Sequence, residues 1–177
     1  MNAITPTRWL RPALGALLLV GTAATALAIP GAPVSTDKAE VSYRNAAAFT
    51  EMDRSFGERT DWLDELSRYV AKRASRTLPE GQRLLVTITD VQRAGMLEPW
   101  RQGGMAHVRI VRDTTPPRIE LNYQLVAQNG AVLKEGSRRL TDAAFLNRTG
   151  FHRGELLSHE KNLIDDWMRR DFGSLRR

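Results

Sequence analysis

A cluster near the C-terminus has the residue types of a metal site. The three candidate ligands, at steps of three and four residues, are His152, Glu155 and His159. Histidine and glutamate at such steps can share a metal ion on one helix face. The two histidines would nevertheless lie about 10 Å apart along a helix that rises 1.5 Å per residue. Gly150 and Gly154 also indicate that the helix begins only near Glu155. We therefore expect surface histidines here and no metal site.

A second candidate is Glu160, which falls within the apolar stripe of the same predicted helix. Its neighbours four residues before it and three and four residues after it are Leu156, Leu163 and Ile164. A carboxylate buried in such a stripe requires a partner, because unpaired burial is costly. We expect an ion pair that joins the helix to the sheet, and a functional acid is the alternative. The arginines in reach from the predicted sheet are Arg109, Arg118 and Arg139.

Two further candidates flank a glycine-rich loop at about residues 92–104. Asp90 ends a predicted strand, where functional residues are common and where aspartate is also an ordinary turn former. Trp100 follows Pro99 in the loop and is a candidate contact residue, since an exposed tryptophan often anchors an interface. The alternative is that its indole folds back as a lid over the sheet. The candidate binding residues are thus Trp100, Asp90, Arg109 and Glu160.

Familiar catalytic motifs do not occur in this sequence. It contains no nucleophile elbow, phosphate-binding loop, dinucleotide fingerprint or zinc-protease helix. It also contains no cysteine, which excludes thiol catalysis and thiolate-rich metal sites. We therefore predict neither catalytic residues nor a cofactor. A hydrolase would need Asp90, Glu160 and His107 to converge in one pocket.

The elements that position these residues follow the order β-α-β-β-β-α. Alternating apolar residues predict strands, and apolar residues at helical spacing predict a helix after Ser55 and another over 155–172. This order counts four strands, and five segments are candidates for them: 40–44, 84–89, 105–112, 118–127 and 131–140. This pattern favours an α+β two-layer sandwich, in which a mostly antiparallel sheet of four or five strands carries two helices on one face.

The hairpin at Asn129-Gly130 leaves two registers open. A two-residue turn places Lys134 opposite Leu125, whereas one bulged residue places Leu133 there.

The first 28 residues have the features of a secretory signal peptide. Arg8 and Arg11 precede an apolar run over 13–20, and Ala26-Leu27-Ala28 predicts cleavage after Ala28. The run is short for a membrane span, which needs about 20 apolar residues. A retained anchor is the alternative. We expect an exported protein, soluble in the periplasm, with no integral membrane segment after cleavage.

Composition assigns the rest of the chain to one domain. Residues 29–38 are rich in Pro, Gly and Ser and predict a flexible mature terminus, and 39–177 is long enough for a single core. The net charge of +6 includes two leader arginines, so the mature charge is +4. A basic protein attracts nucleic acid, anionic lipid or acidic glycan. Export argues against nucleic acid, and charges alternating in sign along the helices are typical of solvated faces.

Five short segments together resemble an exported bacterial family known as domain of unknown function 3016. In chain order they are Val41-Ser42-Tyr43 with Phe49-Thr50-Glu51, Leu78-Pro79-Glu80-Gly81, Thr89-Asp90-Val91-Gln92-Arg93-Ala94-Gly95, Pro117-Arg118-Ile119-Glu120-Leu121-Asn122-Tyr123, and His159-Glu160-Lys161 with Asp166-Trp167. They span nearly all of the predicted mature chain. The resemblance implies a periplasmic location, and it implies neither an activity nor a catalytic residue.

The leading functional hypothesis is a non-catalytic accessory module of the cell envelope. It would bind an envelope protein or a cell-wall component, and its motivation is the absence of catalytic motifs together with a loop that carries a tryptophan. The first alternative is a small periplasmic hydrolase. The second is a carrier of a small ligand, which requires an apolar cavity between sheet and helices.

Overall fold

A five-stranded mixed sheet forms the centre of the protein, which the computed structural model describes over residues 33–54, 60–101, 104–148, 152 and 154–173. The strands of the chain are β1 (Val34–Ser35), β2 (Ala39–Tyr43), β3 (Gln82–Gln92), β4 (Met96–Leu97), β5 (Arg109–Ile110), β6 (Arg118–Ala127) and β7 (Val132–Thr141). The central sheet has the order β1-β2-β3-β6-β7, and β4 pairs with β5 in a separate two-stranded sheet. β2 and β3 are parallel, whereas the other neighbours are antiparallel.

Two long helices cover this sheet. The helices are α1 (Thr50–Arg54), α2 (Asp61–Thr77) and α3 (Ser158–Phe172). The apolar stripe of α2 is buried, and the helix ends at Thr77, where Pro79 and Gly81 follow and stop it. The stripe consists of Leu63, Leu66, Val70 and Ala74. Ser55 and Glu58 have the spacing of a capping box, and both lie outside the described residues. None of the helices in the described ranges is long and apolar enough to cross a membrane.

The start of α3 differs from the sequence-based expectation. The helix begins at Ser158 and not near Glu155, because Leu157 adopts a left-handed conformation with φ 61° that interrupts the helical path. The side chain of Leu156 is 53% exposed, so its assignment to the apolar face was wrong.

The hydrophobic core lies between the two helices and one face of the sheet. Alternate residues of β3 and β6 point into it, as the period of two predicts. On the helical side it is filled by the apolar stripes of α2 and α3, including fully buried Trp167. The predicted α+β class, with two helices packed on the sheet, is confirmed.

The segment 105–112 is not a strand of the central sheet, contrary to prediction. Only Arg109–Ile110 is extended, and it pairs with Met96–Leu97. Val108, an apolar residue in the middle of the predicted strand, is 46% exposed. The physical reason is that β3 already pairs with β2 on one side and β6 on the other, so no edge of β3 remains for this segment.

The β6–β7 hairpin combines features of both proposed registers. Near the turn Val126 pairs with Val132, but Leu125 pairs with Lys134, so Leu133 is an extra residue in β7. The bulge restores the register that a two-residue turn would give, and it leaves Leu133 51% exposed.

Candidate functional site

Several of the predicted site residues meet where β3 leaves the sheet. The chain between β3 and β6, residues 93–117, is called here the β3–β6 connection. It carries Trp100, His107 and Arg109, and it begins three residues after Asp90. Glu160 reaches the same place from α3. The end of β3 therefore brings together residues from elements that are distant in sequence.

Two buried glutamates bind consecutive backbone groups at the start of the connection. The N–H of Arg93 donates to Glu51 Oε2 at 2.8 Å, and the N–H of Ala94 donates to Glu160 Oε1 at 2.7 Å. Glu51 is 0% exposed and Glu160 is 3% exposed. Because a buried carboxylate is stable only with hydrogen-bond donors or a counter-charge, these contacts fix the path of the chain. Glu160 thus binds the main chain of the connection, a partner that the apolar stripe did not predict.

Arg109 ties the far side of the connection to the same point. Its guanidinium donates to the carbonyl oxygen of Gly95 at 3.1 Å and forms a salt bridge with Glu51. Of the other two arginines suggested for Glu160, Arg118 pairs with Asp90 and Arg139 lies 3.6 Å from Glu120.

Gly95 allows the two halves of the β3–β6 connection to approach each other closely. Its φ is +72°, and a Cβ atom there would lie 2.3 Å from the carbonyl oxygen of Ile110. Only glycine fits this conformation and this contact.

Asp90 forms a second set of polar contacts near the end of β3. The register of β3 shifts between Ile88 and Asp90, which is a β-bulge. The carboxylate of Asp90 accepts a hydrogen bond at 2.7 Å from the backbone N–H of Thr50, which is the first residue of α1. It accepts another at 2.6 Å from the guanidinium of Arg118. Burial alone would raise the pKa of Asp90, but these hydrogen bonds outweigh it and lower the pKa below its ordinary value. Asp90 therefore acts as a remote cap for α1.

Trp100 lies on the exposed part of the connection, and its side chain is 65% exposed. Next to it, buried Glu98 forms salt bridges with Arg101 and Arg112. The hydrogen bond from Arg112 lowers the pKa of Glu98, with Arg101 adding to the effect. The ion pairs of Glu98 therefore hold the segment next to Trp100, while the indole itself is exposed.

The hydrolase hypothesis required Asp90, Glu160 and His107 to share one pocket. Asp90 is bound by Thr50 and Arg118, and Glu160 by the backbone of Ala94. His107 is exposed and ends a 3₁₀ turn. Among the contacts of the described residues, none joins one of these three side chains to another.

A separate cleft between α2 and α3 was missed by the sequence analysis; it is called here the α2–α3 cleft. On its wall Tyr69 donates a hydrogen bond to Asp165 Oδ1 at 2.6 Å. His152 Nε2 lies 2.9 Å from the Tyr69 hydroxyl and 3.2 Å from Asp165 Oδ2. Burial, reinforced by Asp165, raises the pKa of Tyr69 well above its ordinary value. The signal that could have found it is the run of polar residues at helical spacing on α2 and α3.

The histidines considered as metal ligands have different surroundings. His152 Nδ1 lies 3.4 Å from Glu155 Oε2, whereas the ring of His159 packs edge-on against Phe145 with centroids 4.9 Å apart. Within the described part of the chain, no group of three histidine or carboxylate side chains is arranged to hold a metal ion.

The fold and these contacts define an α+β protein in which buried charges position a surface loop. The chain belongs to the family described as "Protein of unknown function (DUF3016)", whose model matches residues 37–170. The resemblance seen in the five sequence segments is thereby confirmed. No curated protein and no solved structure matches the chain.

Proposed function

We propose that this protein is an exported, non-catalytic accessory module of the bacterial cell envelope, which binds a protein partner through the β3–β6 connection. The observation that carries the proposal is the use of buried Glu51 and Glu160 to hold the first two residues of that connection. These carboxylates are occupied by backbone N–H groups. Their role is therefore to position a loop.

The exposed side chains of the connection support protein binding. Trp100 is 65% exposed, and Val108 and Val111 are 46% and 39% exposed. Tryptophan contributes a large apolar area at small entropic cost and is enriched among residues that dominate interfaces. A loop held at its base by ion pairs also loses less freedom on binding, which favours affinity. The leader-like residues 1–28 support the envelope location.

The proposal is tested by crosslinking in living cells, followed by affinity capture and mass spectrometry. Trp100→Ala is compared with the parent protein and with Leu133→Ala. Leu133 is a matched control because it is 51% exposed and lies in β7, beside the end of β6 that is far from the β3–β6 connection. We expect one envelope protein that is captured by the parent and by Leu133→Ala but lost with Trp100→Ala. The captured protein is then purified, and its direct binding is measured with the same variants.

Two outcomes would contradict the proposal. Capture that is equally strong with Trp100→Ala would remove the β3–β6 connection as the binding surface. Trp100-dependent sedimentation of the purified protein with cell-wall polymer, without any protein partner, would replace the protein by a cell-wall component.

A further inference from the structure

The α2–α3 cleft is concave and predominantly basic. It has a volume of about 1010 Å³, and arginine and lysine outnumber aspartate and glutamate along its walls by seven to four. A second cavity of about 520 Å³ shares Arg73, Arg76 and Arg169 with it and has no acidic side chain in its lining. The two cavities therefore form one basic groove that runs toward the C-terminal ends of both helices.

The acidic side chains of the groove are already neutralised by basic neighbours. Asp165 lies 2.7 Å from Arg73, and Asp166 lies 2.5 Å from Arg148. Glu65 and Glu155 each lie 3.0 Å from the ammonium of Lys161, which is only 5% exposed, and Glu65 also lies 3.6 Å from Arg68. These pairs line the cleft, and within the described residues every acidic side chain of its lining is already paired.

Among the described residues, two cations on α2 have no counter-charge. Within the part of the chain that the structure describes, Lys72 and Arg76 take part in no ion pair or hydrogen bond, and both are exposed. They are four residues apart and so lie one turn apart on the same helix face, where like charges repel. Both side chains line the cleft, and Arg76 also lines the second cavity. An anion between them would relieve the repulsion.

We propose that the α2–α3 cleft binds a small multivalent oxyanion, held by Lys72 and Arg76 at the rim. The excess of three positive charges along the walls matches a ligand with two or three negative charges. A single phosphate group carries about −1.5 to −2 at pH 7. The forked guanidinium of arginine matches both phosphate and carboxylate oxygens in bidentate geometry. The shared chemistry is thus a compact group of anionic oxygens from either source.

This site does not depend on the envelope partner. Trp100 is not among the side chains that line the cleft. Loss of anion binding would leave Trp100-dependent capture unchanged, and the reverse also holds.

The test is calorimetric titration of the protein, expressed from its full sequence, with pyrophosphate and separately with citrate. We expect a dissociation constant below about 1 mM at low salt for at least one of them. Arg76→Gln and Lys72→Gln should each weaken binding about tenfold, because each removes a charge-assisted contact. Arg170→Gln is the matched control. Arg170 is also an exposed arginine in the last turn of a helix, but it lines neither cavity.

Each outcome has a defined meaning. Pyrophosphate binding alone assigns the site to phosphate, citrate binding alone assigns it to carboxylate, and either result supports the proposal. The absence of binding by both anions would overturn it. Equal weakening by Arg170→Gln and Arg76→Gln would also overturn it, since net charge and not the cleft would then be responsible. Circular dichroism of each variant checks that the fold is retained.

Discussion

Glu51 and Glu160 accept hydrogen bonds from neighbouring backbone N–H groups although they come from different helices. One side chain would leave the chain free to pivot, whereas two fix both its position and its direction. The added salt bridge from Arg109 to Glu51 balances one of the buried charges. At the scale of single residues, charge burial in this protein is a means of holding backbone.

The first prediction concerns Glu160→Ala. We expect a loss of about 1–3 kcal/mol in the free energy of unfolding, because the buried N–H of Ala94 loses its acceptor. The measurement is urea denaturation followed by circular dichroism. Glu80→Ala serves as control, since Glu80 is 92% exposed and pairs only at the surface with Lys38. It should change stability by less than about 0.5 kcal/mol. Equal effects of the two substitutions would contradict the role given to Glu160.

The second prediction concerns Gly95→Ala. We expect destabilisation by about 2–4 kcal/mol, the sum of a disfavoured positive φ and a clash with the backbone of Ile110. Gly130→Ala is the matched control, because Gly130 has φ +83° with nothing within 4 Å of the added Cβ. It should cost only about 1–2 kcal/mol. The same denaturation assay compares the two, and a smaller effect at Gly95 than at Gly130 would argue against the close approach.

The third prediction is a pH dependence that arises from Asp90. Its pKa in the folded protein is lowered, so its contribution to stability is present above the pKa of an unfolded aspartate, about 3.9. That contribution is lost as the pH falls through the lower, folded pKa. We expect Asp90→Asn to be less stable than the parent at pH 5–7, and the difference to shrink below about pH 4. Urea denaturation across this range measures it. Asp113→Asn, at an exposed position, should show no such pattern.

Sequence periodicity predicted which single residues are buried better than it predicted their partners. Glu160 was placed in a buried stripe correctly, because helical spacing determines which residues share a face. Its hydrogen bond with the N–H of Ala94 depends on the path of a loop, and the periodicity of the sequence gives no information on that path. Tyr69 and Asp165 were missed for a related reason, since their contact joins two helices that are remote in sequence.

At the scale of elements, alternation predicted β3 and β6 because one face of each packs on the helices, and the Asn129-Gly130 turn predicted β7 as the strand that returns from it. It failed for 105–112, where a similar alternation leads to a two-residue strand outside the central sheet. The alternation of apolar residues indicates that a segment favours an extended strand, but whether the strand joins a sheet depends on which strand edges are free. Here both edges of β3 are occupied.

The fourth prediction concerns the relative stability of these elements. Backbone amides of β3 and β6 should exchange with solvent most slowly, since each strand has hydrogen-bonded neighbours on both sides. The amides of β4 and β5 should exchange faster by orders of magnitude, because two residue pairs hold that sheet. Hydrogen exchange followed by NMR measures both. Slow exchange in β4 and β5 would mean that the connection is part of the cooperative core.

At the scale of the whole molecule, four of the five segments that resemble the family meet in space. Thr50-Glu51, Asp90, Arg93-Ala94, Arg118 and Glu160 all contribute to the polar contacts at the end of β3. In this protein, the residues that carry the resemblance thus include those that hold the β3–β6 connection. Family membership and the α+β class were predictable from the sequence, whereas a ligand was not, because specificity depends on the shape of a surface.

The fifth prediction concerns export. The protein recovered from an osmotic-shock fraction should begin at Ile29, since Ala26-Leu27-Ala28 matches a leader cleavage site. N-terminal sequencing or intact-mass measurement provides the test. Replacing Ala26 and Ala28 with bulky residues should cause the uncleaved form to accumulate. Recovery of the full-length chain in the cytosolic fraction would contradict the proposed location.

The two borders of the central sheet have a consequence for solubility. In the described residues one border is β1, which is only two residues long. The other is β7, which is bulged at Leu133 and carries charges at Lys134, Glu135, Arg138 and Arg139. Short, kinked or charged borders prevent another chain from adding a strand. The folded protein should therefore remain dispersed at high concentration and resist growth into fibrils.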